Sequence, residues 1–184
     1  MPSLLTKPTT GTVVFDLEAN GLLNNANEIF CVALYWQDEN LMESFNDQCP
    51  GKGMSSPVIR ALQWIEGADI IIGHNIIGYD IPLIKSIYHW FNPTGILIDT
   101  LILSRLYHPN LYDIDKTTGK IPTKMYGSHS LEAYGHRLNE YKGEFSKTTD
   151  WQEWSQDMED YCIQDVVVTK KLCDHFHPYL SGSN

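Results

Sequence analysis

The sequence predicts an α/β fold on a mixed β-sheet, and three observations carry that prediction. Three apolar runs rich in β-branched and aromatic residues follow one another near the N-terminus. Two short apolar runs further on each lead into a helix-patterned stretch, and the chain closes in helical periodicity. Composition agrees, because 42% hydrophobic and 20% charged residues over 184 positions describe a globular chain, not a disordered or fibrous one. One domain over residues 12–180 is expected, after a loose lead-in at residues 1–11.

Thr12–Glu18 (TVVFDLE), Ile29–Gln37 (IFCVALYWQ) and Leu41–Phe45 read as successive strands, with Asp38–Asn40 as a polar hairpin turn. Ser55, Ser56 and Pro57 then supply an N-cap and a first-turn proline. Val58, Leu62 and Ile65 recur on one face of a helix that ends near Gly67. Asp69–Gly73 (DIIIG) has the length and apolarity of a buried strand, and a glycine-containing loop leads from it into a helix over Tyr79–Trp90. Ile96–Ile98 repeats the pattern into a helix over Thr100–Tyr107. Residues His108–Gly127, mixed in Pro, Asn, Asp, Gly and Lys, read as a long surface loop, and a helix over Asp157–His175 comes near the end.

Thirteen Lys and Arg against 23 Asp and Glu give a net charge of −10. That balance argues against a protein whose main task is to neutralise phosphates along a duplex. It is compatible with carboxylates that hold divalent cations, because the ions reverse the local sign. Cys31, Cys49, Cys162 and Cys173 form no C-x-x-C pair and no disulfide or zinc spacing, so packing is their expected role. No apolar run is long enough to span a bilayer, and a cytoplasmic protein without a membrane partner is expected.

Asp16 and Glu18 stand two apart near the end of the first strand, so both project from one face. Their mutual repulsion calls for a proton or a hard cation such as Mg²⁺ or Mn²⁺; a solvated strand end is the plain alternative. Asp80, in HNIIGYD, follows the second buried strand, where open sheets gather ligands, and equally fits a helix N-cap. Tyr161 and Asp165, in YCIQD, lie side by side at i and i+4 on a helix, as a water-orienting pair or as an ordinary surface contact.

Taken together, DLEANGL, HNIIGYDIP and YCIQD resemble the three motifs of the DnaQ-like 3′-to-5′ exonucleases in their tyrosine form, and the resemblance spans about residues 12–177. IDTLILSRLYHPNL and GSHSLEAYGHRL resemble connecting segments of the proofreading exonuclease domain of phage-type family A DNA polymerases. The resemblance implies a ribonuclease-H-like mixed sheet flanked by helices and two bound cations, Mg²⁺ or Mn²⁺. Asp16, Glu18 and Asp165 would hold the ion that activates water. Asp16 would share the second with Asp80, and Tyr161 would orient the water. It further implies contacts to the terminal nucleotide from Leu22 and Asn75. For Leu22 a core position is the alternative, and for His74 a structural role.

The implied substrate is a single-stranded or frayed DNA 3′ end, with a DNA polymerase chain or domain as partner. A ribonuclease of the same superfamily and a non-hydrolytic polymerase-docking module are the competing readings. Lacking a basic track, the domain is expected to act distributively.

Overall fold

A computed structural model describes residues 11–48, 56–140 and 153–182. β1 (Thr12–Ala19) is the middle of a five-stranded sheet. It pairs antiparallel with β2 (Ile29–Trp36), which pairs antiparallel with β3 (Leu41–Asn46). On its other side β1 runs parallel to β4 (Ile70–Gly73), and β4 parallel to β5 (Ile96–Asp99), giving the order β3-β2-β1-β4-β5. The mixed sheet follows from the connections. Short polar loops suit hairpins, whereas a parallel return needs a crossover long enough for a helix.

Those crossovers carry α1 (Pro57–Glu66) and α2 (Asp80–Ile87). The Ser56 hydroxyl accepts the Ile59 N–H and caps α1, while Ser55 lies outside the described residues, as do residues 1–10 and Cys49. Val58, Leu62 and Ile65 are wholly buried from α1, and they pack with Val13, Phe15 and Leu17 of β1. Those odd-numbered positions fill one face of the sheet. The opposite face carries Val14, Phe30, Cys31 and Ile72, packed against Met158, Cys162 and Val166 of α6 (Gln156–Ser181). The two-residue period of β1 therefore sends its hydrophobic residues one way and Val14, Asp16 and Glu18 toward α6.

Three expectations are corrected. His108–Gly127 is not a structureless loop: it folds as α4 (Leu111–Thr118) and a 3₁₀ turn (Thr123–Met125), after α3 (Thr100–Tyr107). The cause is tertiary, because Leu111 joins a cluster with Tyr134 of α5 (Leu131–Arg137) and Phe176 of α6. Asp115 is held there by Arg137. The helix expected over Tyr79–Trp90 is shorter, Asp80–Ile87. α6 runs on past His175 to Ser181, through Pro178, because Leu172 and Phe176 are wholly buried and Gly182 closes it in a left-handed cap.

Cys31 and Cys162 are buried and unbonded to any disulfide, and Cys173 is half-buried, in keeping with packing. Among the described residues no helix is long and apolar enough to cross a membrane.

Candidate active site

Asp16 and Glu18 reach α6 where a bulge disturbs the β1–β2 register: Glu18 faces Cys31, but Ala19 faces Ile29. Bulges of this kind re-aim side chains beside functional sites. Asp165 comes from α6. One carboxylate oxygen from each of Asp16, Glu18 and Asp165 lies within 4.8 Å of the others, the only such group among the described residues.

Burial pushes the Asp16 carboxyl well above the usual carboxylate range, and the charges of Asp165, Glu18 and Asp80 push it further. Burial, then Asp165 and Asp80, raise Glu18 to about 9. Asp165 rises to about 7, chiefly through burial, although a hydrogen bond from the Tyr161 hydroxyl opposes the rise. Among the described residues, every charged neighbour acting on Asp16 is acidic. Protein carboxylates gathered without a cation either take up protons or bind a metal ion. The donors are all oxygen, as hard divalent cations prefer, so these three residues fit such an ion.

Asp80 is the fourth carboxylate, outside the mutual triad yet close enough to raise both Asp16 and Glu18. It is not the N-cap of α2: Tyr79 occupies the cap position, and Asp80 is the first helical residue, 4% exposed. Burial raises it to about 7, opposed by a backbone hydrogen bond. Tyr161 sits half-buried one helical turn before Asp165. Burial and the charges of Asp165, Glu18 and Asp16 push its phenol far upward, which keeps it protonated as a donor.

The loop between β4 and α2 is held by a residue that motif reading missed. Asp99, at the end of β5, accepts backbone N–H groups from Asn75 at 2.9 Å and Ile77 at 3.1 Å, and it caps α3 through Leu101 and Ile102. An aspartate closing a short strand before a helical pattern was the available signal. Asn75 adopts a left-handed φ of 66° and is exposed. Its side chain packs so close to Gly78 that a Cβ there would meet Asn75 Oδ1 at 2.6 Å. His74 is structural in setting. Its Nδ1 lies 2.9 Å from the Thr100 hydroxyl, and burial lowers it to about 4. Leu22 is 78% exposed on the β1–β2 loop, so it is not a core leucine. The Tyr79 hydroxyl donates to the Gly21 carbonyl at 2.6 Å and ties that loop to the start of α2.

This arrangement has relatives. The DNA-directed DNA polymerases of Enterobacteria phage T3 and Escherichia phage T7 are each 33% identical to it, covering 88% of this chain and 26% of their own length. The chain thus spans about a quarter of those polymerases. Among solved structures, Brucella melitensis NrnC bound to pGG superposes with a TM-score of 0.60 at 17% identity, over 99% of this chain and 79% of that one. The zinc-bound E. coli ExoI–ssDNA complex gives 0.53 at 17%, over 94% and 42%. Both share the fold. With the sheet order, the converging carboxylates and a family model matching residues 13–177, the chain belongs to the RNase_H superfamily.

Proposed function

We propose that this chain is a metal-dependent exonuclease that shortens single-stranded or frayed DNA from the 3′ end, working in or beside a DNA polymerase. One observation carries the reading: Asp16, Glu18 and Asp165 converge and, among the described residues, only acidic groups act on Asp16. Structural carboxylates are ordinarily hydrogen-bonded or paired, so this concentration of charge suits bound Mg²⁺ or Mn²⁺. The 33% identity to phage DNA polymerases favours DNA as substrate and a polymerase as partner.

When bound, two divalent cations would acidify a water and stabilise the entering and leaving oxygens of an in-line displacement. Asp16, Glu18 and Asp165 would hold one ion, and Asp16 with Asp80 the other. Tyr161, kept protonated, orients the Asp165 carboxylate and can hold a water by its hydroxyl. Leu22, exposed beside the Tyr79–Gly21 anchor, offers an apolar surface to the terminal base, and Asn75 offers polar atoms at the rim.

The test is hydrolysis of 5′-labelled DNA and RNA oligonucleotides of equal sequence with Mg²⁺ or Mn²⁺. Stepwise 3′ shortening of DNA that stops in chelator is expected. Equal or faster loss of RNA would move the assignment to a ribonuclease. No shortening of either would leave a docking module.

A further inference from the structure

We infer that α4 and the 3₁₀ turn form a track for single-stranded nucleic acid, running away from the loop that carries Asn75. This deepens the exonuclease reading by naming where the strand behind the 3′ end would lie. The net charge of −10 conceals an uneven distribution. Residues 105–126 hold Arg105, Lys116, Lys120 and Lys124 against Asp113 and Asp115, a net of +2, so the remainder of the chain carries −12.

Asp115 does not cancel those lysines at the surface. It is 1% exposed and accepts Arg137 Nε at 2.9 Å, Arg137 Nη2 at 2.8 Å and the Gly127 N–H at 2.8 Å. Asp113 remains as one exposed anion, against exposed Lys116, Lys120 and Lys124.

Two aromatic rings belong to the same segment. Tyr112 is 58% exposed and meets Tyr126 edge-on, with ring centroids 6.0 Å apart. Tyr112 and Lys116 are one helical turn apart on the same face of α4. The pair is braced: Gly127, with φ of 77°, brings its Cα so near Tyr112 that a Cβ would meet the tyrosine Cβ at 3.2 Å. Cations that follow the backbone, with rings for bases to stack on, are the equipment of single-strand binding.

The track begins at the proposed site. His74 Nδ1 lies 2.9 Å from the Thr100 hydroxyl on α3, and one turn further along α3 the Ser104 hydroxyl lies 2.6 Å from His129 Nδ1. Tyr126 is three residues from His129, at most about 11 Å of chain. A strand leaving Asn75 therefore comes to the tyrosines within a few nucleotides.

Fluorescence anisotropy of 5′-labelled dinucleotide and dodecanucleotide, DNA and RNA, in chelator and over a salt series, tests this with the full chain. The dodecanucleotide should bind more tightly than the dinucleotide. Lys116→Glu/Lys120→Glu/Lys124→Glu should remove most of that gain and flatten the log–log salt slope by about 2, near 0.7 for each phosphate left without its lysine. Tyr112→Ala should weaken dodecanucleotide binding by about tenfold and Tyr112→Phe should restore it, as stacking requires. Equal DNA and RNA losses assign the track to backbone and stacking alone, and a loss for one polymer assigns it to that polymer. Unchanged length dependence and salt slope in the triple variant would overturn the track. Binding is read without hydrolysis, so an inactive protein that loses binding in these variants refutes the exonuclease reading and leaves the track standing.

Discussion

Two groups of half- or fully buried carboxylates in this molecule have opposite environments. On α4, Asp115 takes three hydrogen bonds, two of them from the Arg137 guanidinium, and although burial works against it, these partners hold its carboxyl below the usual range. Asp99 takes backbone amides from the β4–α2 loop and from the start of α3. Between β1 and α6, Asp16, Glu18 and Asp165 have chiefly one another, and all are raised. The contrast separates charge satisfied within the fold from charge left for something outside it. Aspartates of the first kind stabilise; those of the second kind cost stability and mark the site.

The sharpest way to break this contrast is to remove one member of the unsatisfied group. Asp16→Ala or Asp165→Ala should lower turnover on oligonucleotides by several orders of magnitude while the metal-free protein melts at an equal or higher temperature. Near-normal cleavage by either variant would end the two-metal assignment.

The opposite pattern belongs to the satisfied group. Asp115→Ala strands the Arg137 guanidinium, 11% exposed, and should cost about 3 kcal/mol in urea denaturation, with little loss of turnover per folded molecule. A stability change within experimental error would show that the pair is not structural.

Tyr161 lies on the boundary between the groups, because its hydroxyl is, among the described residues, the donor that shifts the Asp165 carboxyl downward. Tyr161→Phe should reduce the single-turnover rate on the order of 10²-fold, less than loss of a metal ligand, with affinity little changed. An unaltered rate would assign the phenol to packing.

The smallest effect is the pH dependence of stability. Folded-state values of about 9 for Glu18 and about 7 for Asp80 and Asp165 stand above ordinary values of 4.5 and 3.8. A raised group stabilises below its unfolded value, and that contribution is lost as pH rises through the folded one. In chelator, the melting temperature should therefore fall between about pH 4 and pH 9, and Mg²⁺ or Mn²⁺ should restore it at the alkaline end. Melting that is flat over this range and indifferent to cation would contradict the raised carboxylates.

Much of this was determined by local sequence. Alternation in TVVFDLE places Asp16 and Glu18 on one face, and the i, i+4 spacing in YCIQD sets Tyr161 beside Asp165, because strand and helix periods are properties of the backbone. What lay between distant segments was not legible. That Asp99 organises the Asn75 loop depends on β5 lying next to β4. That His108–Gly127 is partly helical depends on Arg137 and Phe176, which no window around α4 contains. Net charge likewise averages over position and concealed a cationic segment in an acidic chain. Periodicity is inherited from neighbours along the chain, whereas satisfaction of a buried charge is decided by neighbours in space, and only the tertiary structure supplies those.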